Sequence, residues 1–271
     1  MTSMVGLHTT ITYSLDKLQR HKYGKVSIIL PAYNLENVIC DSILSLKNEL
    51  QKLKTDYEII VVDDGSTDNT YKKVLELNDS HVKIIRNHRN IGKGYAVKRG
   101  ILASTGDYII FVDADMDIGY KDIGRYIIML KRFDIVIGSK RHPDSTYIAP
   151  AMRKILSLAF NLIVRLLTGI NVSDTQTGFK AFRGEIGRHI MRLVLVKRYA
   201  FDVEMLAVAR LLNAKIYEVP VKIIQESRFS LKSILYMIVD LMGIVYRLRF
   251  KKWYQKNIRN LTPKYNPILK L

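Results

Sequence analysis

Cysteine occurs once in the 271 residues, at Cys40. A lone thiol excludes an internal disulfide and a cysteine-based zinc site, and it fits a reducing compartment. Acidic residues are scarce as well: 25 Asp and Glu stand against 43 Lys and Arg, a formal net charge of +18. Such a surplus implies an anionic partner, whether nucleic acid, anionic lipid headgroups or a phosphorylated substrate. Long apolar runs are also missing. The opening MTSMVGLHTTITYSLDKLQRHKYGK has no apolar core of the signal-peptide kind, so no cleaved secretion signal is expected, and residues 1–24 read as an N-terminal arm. The stretch from Ile155 to Ile170 is interrupted by Arg165, and that from Leu231 to Leu248 by Lys232, Asp240 and Arg247. Neither is a clean spanning helix of ~20 apolar residues.

With 48% hydrophobic and 25% charged residues, the chain can bury one substantial core. From residue 26 short Ile/Val runs alternate with helical segments. Strands are expected at Val26 to Leu30, Tyr57 to Val62, Val82 to Arg86 and Tyr108 to Val112, and helices at 36–53, 68–77 and 93–104. Continuous apolar strands bounded by Asp, Gly and Asn suit a parallel sheet covered on both faces, an α/β architecture of the doubly wound type. No repeat or low-complexity linker divides residues 25–225, which are expected to form one catalytic domain. Residues 226–271 differ, with ten Lys and Arg against two Asp and Glu, and read as a basic amphipathic segment.

In an open α/β sheet ligands sit beyond the carboxyl ends of the strands. There stand Pro31-Ala32-Tyr33-Asn34, Asp63-Asp64-Gly65-Ser66 and Asp113-Ala114-Asp115. Asp113 and Asp115, two residues apart on an extended segment, place both carboxylates on one side of the backbone, and Asp117 extends that side. Paired hard oxygens beside a diphosphate are how Mg²⁺ or Mn²⁺ is usually held. In the second motif Asp63 is the better candidate for a nucleobase or ribose contact, while Ser66 or Asp68 suffices for an N-cap turn.

PAYN (31–34), VVDDGSTDNT (61–70), NIGKGYAVKRG (90–100), GDYIIFVDAD (106–115), IGSKR (137–141), DTQTGFKAF (174–182) and FDVEM (201–205) occur in one order. In that order they resemble the family 2 glycosyltransferases, and more narrowly the dolichyl-phosphate glucose and dolichyl-phosphate mannose synthases. The resemblance spans roughly residues 25 to 250. It implies a GT-A-type fold and an inverting transfer of a hexose from a nucleotide sugar to a polyprenyl (dolichyl) phosphate, with UDP-glucose favoured and GDP-mannose as the other donor. It also implies site residues. Pro31, Tyr33, Val61, Asp63, Lys93, Asp113, Ala114, Asp115, Lys140 and Arg228 match donor positions; Arg141, Arg153 and Ser157 match the acceptor-phosphate site. Asp113, Asp115 and Asp117 match the metal segment, and Asp113, Asp115 and Arg153 are the candidate catalytic residues. Two positions depart from the family: Leu35 follows PAYN, with Glu36 one place later as the candidate donor residue, and Asp117 stands where the mannose-type enzymes carry Gln.

Arg153, Ser157, Asn161 and Arg165 recur every four residues and form a polar stripe on a helix, either a solvated face or a phosphate site. A phosphate monoester with a second pKa near ~6 is already largely anionic at neutral pH, so no strong general base is required. Asp202 and Glu204 are left to contact sugar hydroxyls or orient an arginine. At the C-terminal end, Leu231, Ile234, Leu235, Ile238, Leu241, Met242, Val245 and Leu248 trace one broad apolar face, followed by cations and aromatics from Arg247 to Tyr254. This composition suits attachment to an anionic membrane surface, expected here to be peripheral and on the cytoplasmic face. A nucleic-acid-binding protein would also explain the charge, but none of the usual motifs appears and no nucleic-acid partner is expected. A family 2 enzyme with a non-polyprenyl acceptor is the remaining alternative.

Overall fold

The computed structural model describes residues 24–114, 120–224 and 231–261. The expected arm, apart from Gly24, therefore lies outside the described residues, as do Asp115, Asp117 and Arg228.

The Ile/Val runs form β1 (Val26–Ala32), β2 (Tyr57–Asp63), β3 (Val82–Arg86) and β4 (Tyr108–Val112). Helices α1 (Ile39–Lys52), α2 (Thr70–Glu76) and α3 (Lys93–Ala103) connect them. β1 pairs in parallel with β2 and β4, and β2 with β3. The chain continues through α4 (Ile123–Met129), β5 (Ile135–Ser139), β6 (Thr146–Ile148), α5 (Ala151–Thr168), β7 (Phe179–Arg183), α6 (Gly184–Leu193), α7 (Phe201–Leu211), β8 (Ile216–Pro220) and β9 (Lys222–Ile224). It ends in α8 (Leu231–Val245), a π-helical turn at Tyr246–Phe250 and α9 (Trp253–Leu261).

Among the described residues the main sheet has seven strands in the order β3-β2-β1-β4-β7-β5-β8. β7 runs antiparallel to both β4 and β5, so the sheet is mostly, not wholly, parallel. Alternation along the strands feeds two cores. Ile29 and Phe111 point into a layer with Val97 of α3, Ile190 of α6 and Leu206 of α7, whereas Ile28, Leu30 and Ile110 meet Ile43 and Leu46 of α1 and Ile127 of α4. Each such fully buried side chain contributes roughly 1.5–3 kcal/mol of transfer free energy.

Two helices depart from the usual polar-out arrangement. α5 turns Met152, Ile155, Leu158, Leu162 and Leu166 outward, all more than half exposed, while Asn161, Val164 and Thr168 are buried. Its polar stripe is thus not a solvated face: Asn161 is buried, Arg153 and Ser157 are partly buried, and only Arg165 is exposed. α8 divides its apolar residues. Leu241, Ile244 and Val245, with Leu248 and Tyr254 beyond them, join the α3–α6–α7 core, while Leu235, Ile238, Val239 and Met242 stay exposed. Part of the segment that starts at 226 thus packs in the same core as α3, α6 and α7. Among the described residues no helix is long and apolar enough to cross a membrane.

Candidate active site

The carboxyl ends of β1, β2 and β4 open into one cavity of ≈ 540 Å³, within the size range of small-molecule sites. Pro31 and Ala32 end β1 and Tyr33 and Leu35 follow it, Asp64 follows β2, and Asp113 and Ala114 follow β4. Gly92, Lys93 and Ala96 bring the N-terminus of α3 to the same cavity, and Arg198, Tyr199, Ser233 and Tyr236 close the other side.

Asp113 sits at the end of β4 because the last apolar residue of that strand, Val112, is locked in the sheet. Its carboxylate, a quarter exposed, makes an ion pair with Lys93 at the start of α3. On its other side it lies against Gly178, where any β-carbon would overlap the carboxylate. Asp64 builds the approach to α3: it accepts hydrogen bonds from the Ile91 and Gly92 amides at 3.1 and 2.7 Å and from Asn87 Nδ2 at 2.6 Å. Gly92 has φ +126°, a conformation other residues avoid, and this bend aims the helix N-terminus at the cavity. A helix N-terminus carrying a lysine is a ready-made site for phosphate oxygens.

Of the candidates from the sequence, Pro31, Tyr33, Lys93, Asp113 and Ala114 line this one cavity. Three other candidates have different surroundings. Asp63 is fully buried, accepting from the Ser66 amide at 3.0 Å and pairing with Arg86 Nε at 3.1 Å. Its neighbour Asp64 lines the cavity in its place. Val61 is buried within β2, paired to Leu30 and Ile84. Glu36 accepts from the amide and side chain of Asn69 at the start of α2 and lies in an adjoining groove with Cys40 and Lys73.

The cationic candidates form a second group past the end of β5. Lys140 Nζ is 2.8 Å from Asp174, whose burial opposes ionisation while the Lys140 charge and hydrogen bonds from Lys140 and Thr177 hold its carboxyl well below the usual range. Arg141 donates through Nη2 to Ser157 O at 2.8 Å and Oγ at 3.4 Å, and through Nη1 to Ser173 O. Arg141 and Ser157 are therefore brought together, with Arg153 one turn earlier on α5.

The family model for glycosyl transferase family 2 matches residues 27–190. The chain belongs to glycosyltransferase family 2. It is 37% identical over 252 residues to a dolichyl-phosphate beta-glucosyltransferase of Dictyostelium discoideum, covering 86% of this chain and 77% of that protein. The Drosophila melanogaster protein of that name is 33% identical over 79% of this chain and 72% of its own. Among solved structures, glucosyl-3-phosphoglycerate synthase from Mycobacterium tuberculosis, in complex with Mn²⁺, UDP and glucosyl-3-phosphoglycerate, superposes with a TM-score of 0.61 at 20% identity, covering 86% of this chain and 81% of that one. The fold is of the GT-A type.

In this family 2 glycosyltransferase the two acids of FDVEM serve the scaffold. Asp202 is paired with Lys180 at 2.7 Å beneath the cavity, and burial raises the carboxyl pKa and lowers that of the ammonium. Glu204, fully buried, accepts from the Leu195 and Val196 amides through Oε2 and from Arg247 and Tyr254 through Oε1. It orients an arginine, and that arginine belongs to the C-terminal π-helical turn. Sequence reasoning missed Asn90, Arg198, Tyr199, Ser233 and Tyr236 as cavity residues. The basic run before FDVEM was the available signal for Arg198, whose guanidinium stacks 4.3 Å from the Tyr236 ring centroid; nothing in the spacing of α8 pointed to Ser233 or Tyr236.

Proposed function

We propose that this enzyme transfers glucose from UDP-glucose to dolichyl (polyprenyl) phosphate, with inversion at C1, at the cytoplasmic face of a membrane to which it binds peripherally. The sugar and acceptor follow the relatives, each a dolichyl-phosphate beta-glucosyltransferase. The observation that carries the acceptor assignment is α5, which turns its apolar side outward and its Arg153–Ser157 stripe toward Arg141. A lipid phosphate can reach such a stripe while its polyprenyl chain stays among the exposed leucines.

On this reading Pro31 and Tyr33 pack on the nucleotide, and Lys93 with the α3 N-terminus receives the diphosphate. Arg141, Arg153 and Ser157 hold the acceptor phosphate in line with the sugar C1, and its anionic oxygen attacks without a base. Asp113, a hard carboxylate lining the cavity, fits Mg²⁺ or Mn²⁺, with Asp115 and Asp117 as further ligands. When bound, the ion offsets diphosphate charge and stabilises the departing nucleoside diphosphate. Lys93, now paired with Asp113, then turns to the phosphate oxygens.

The test is transfer of labelled sugar to a solvent-extractable product. Label should be extracted with UDP-glucose, dolichyl phosphate and Mn²⁺ or Mg²⁺ together, and be lost on chelation. Transfer only from GDP-mannose, or equal transfer to a soluble acceptor, would overturn the donor or the acceptor assignment.

A further inference from the structure

Lys140 and Arg141 are neighbours past the end of β5, yet their charges are met differently. Lys140 is paired with the Asp174 carboxylate, whereas among the described residues no carboxylate pairs with Arg141. The Arg141 guanidinium is held by neutral acceptors instead, the Ser173 carbonyl on Nη1 and the Ser157 carbonyl and hydroxyl on Nη2. These three bonds spend at most three of its five N–H groups, and the side chain is only partly buried, so at least two remain for a ligand.

The frame that holds these acceptors ends on Glu218 of β8. Glu218 Oε1 accepts from the Ser173 amide at 2.7 Å, and Oε2 accepts from the Ser173 hydroxyl. With the Ser173 proton given to the carboxylate, the 2.6 Å contact between the Ser139 and Ser173 hydroxyls has Ser139 as its donor. Ser139 Oγ is then left to accept from the Arg141 amide at 3.3 Å. Arg141 is thus tied to Glu218 twice, at its backbone through Ser139 and at its guanidinium through the Ser173 carbonyl. Among the described residues no cation pairs with Glu218.

We propose that Glu218 is a positioning residue for acceptor recognition: through Ser173 and Ser139 it fixes the reach of Arg141 without touching it, and so leaves the guanidinium to the acceptor phosphate. A carboxylate in direct contact would compete with the phosphate for the same N–H fork, which a carbonyl lacks the charge to do. This inference rests on the acceptor-phosphate reading of Arg141 given above.

The experiment compares the full chain with its E218Q, S173A, R141Q and E218Q/R141Q variants in steady-state transfer, varying dolichyl phosphate and UDP-glucose in turn, alongside thermal melts. A glutamine at 218 can accept only one of the two Ser173 hydrogen bonds and must donate at the other, which reverses the relay. E218Q should raise the KM for dolichyl phosphate by about tenfold and leave that for UDP-glucose within about twofold. S173A, which removes the relay hydroxyl and keeps the carbonyl, should act in the same direction and carries the test if E218Q melts far below the wild type. R141Q should raise the dolichyl-phosphate KM further, and adding E218Q to it should change nothing more, because a residue that acts through Arg141 is silent once Arg141 is gone. A full E218Q effect in the R141Q background, an equal rise in both KM values, or wild-type kinetics in E218Q and S173A overturns the positioning role and leaves the acceptor assignment standing. If R141Q itself leaves the dolichyl-phosphate KM unchanged, the acceptor reading of Arg141 fails and the role of Glu218 falls with it.

Discussion

Gly178 lies against the Asp113 carboxylate so closely that a β-carbon at 178 would overlap it. The glycine is there for space, since the carboxylate fills the volume a side chain would take. Gly178→Ala should push Asp113 from its place and lower transfer by about 100-fold, the usual cost of misplacing a reacting-site group by an ångström. Asp113→Asn, which keeps the shape and removes the charge, should cost at least as much at saturating Mg²⁺ or Mn²⁺. Initial rates alongside thermal melts decide the matter; full activity in either variant would overturn the proposed metal-ligand role of Asp113.

Arg153→Ala should raise the KM for dolichyl phosphate by about 10-fold or more, the value of one charge-assisted phosphate contact, and leave the UDP-glucose KM nearly unchanged. Equal losses for both substrates would place Arg153 at the donor or make it structural.

The Glu204 carboxylate joins α7 to the C-terminal helices through Arg247 and Tyr254. Glu204→Gln removes one partner of a buried ion pair and should destabilise the fold by about 3 kcal/mol, read as a fall in melting temperature. A truncation after Gln225 would therefore be a poor test of membrane attachment. It strips Leu241, Ile244 and Tyr254 from the core, so loss of vesicle binding in that variant would report misfolding. Serine substitutions at exposed Leu235 and Met242 are the cleaner probe of attachment.

Burial of Glu58 opposes its ionisation, but hydrogen bonds from Lys83, Thr105 and Ser27 hold its pKa at about 2. A carboxyl depressed in the folded state contributes stability above its unfolded pKa, and that contribution is lost as pH falls toward 2. Acid melts should therefore show a stability decline below about pH 4.5 that Glu58→Gln flattens, with a loss near pH 7 of roughly 2–3 kcal/mol. An unchanged pH profile in the variant would show that the cluster is energetically neutral.

The first four strands were legible because each is a short β-branched run with polar ends, and β3 and β4 coincide with the expected limits. The direction of β7 was not, since apolar periodicity is the same whichever way a strand pairs. Asp113 and Lys93 could be placed from motif position alone, whereas the choice between Asp63 and Asp64 could not. The two are adjacent, and Asp63 is the one held in the sheet between Ala32 and Arg86, while Asp64 lies one residue past the strand. Amphipathic spacing in α5 revealed two faces without saying which one is turned to the protein. That was decided by long-range contacts such as Arg141 with Ser157.

The outward leucines of α5 have a kinetic consequence if they rest in a bilayer. The crevice would then ride at a fixed height above the surface and meet its acceptor by diffusion in two dimensions. Rate would follow the mole fraction of dolichyl phosphate in the membrane and not its amount per volume. Adding plain phospholipid to an assay at constant acceptor would slow the enzyme by dilution within the surface, whereas adding buffer that keeps the nucleotide-sugar concentration constant would leave it nearly unaffected.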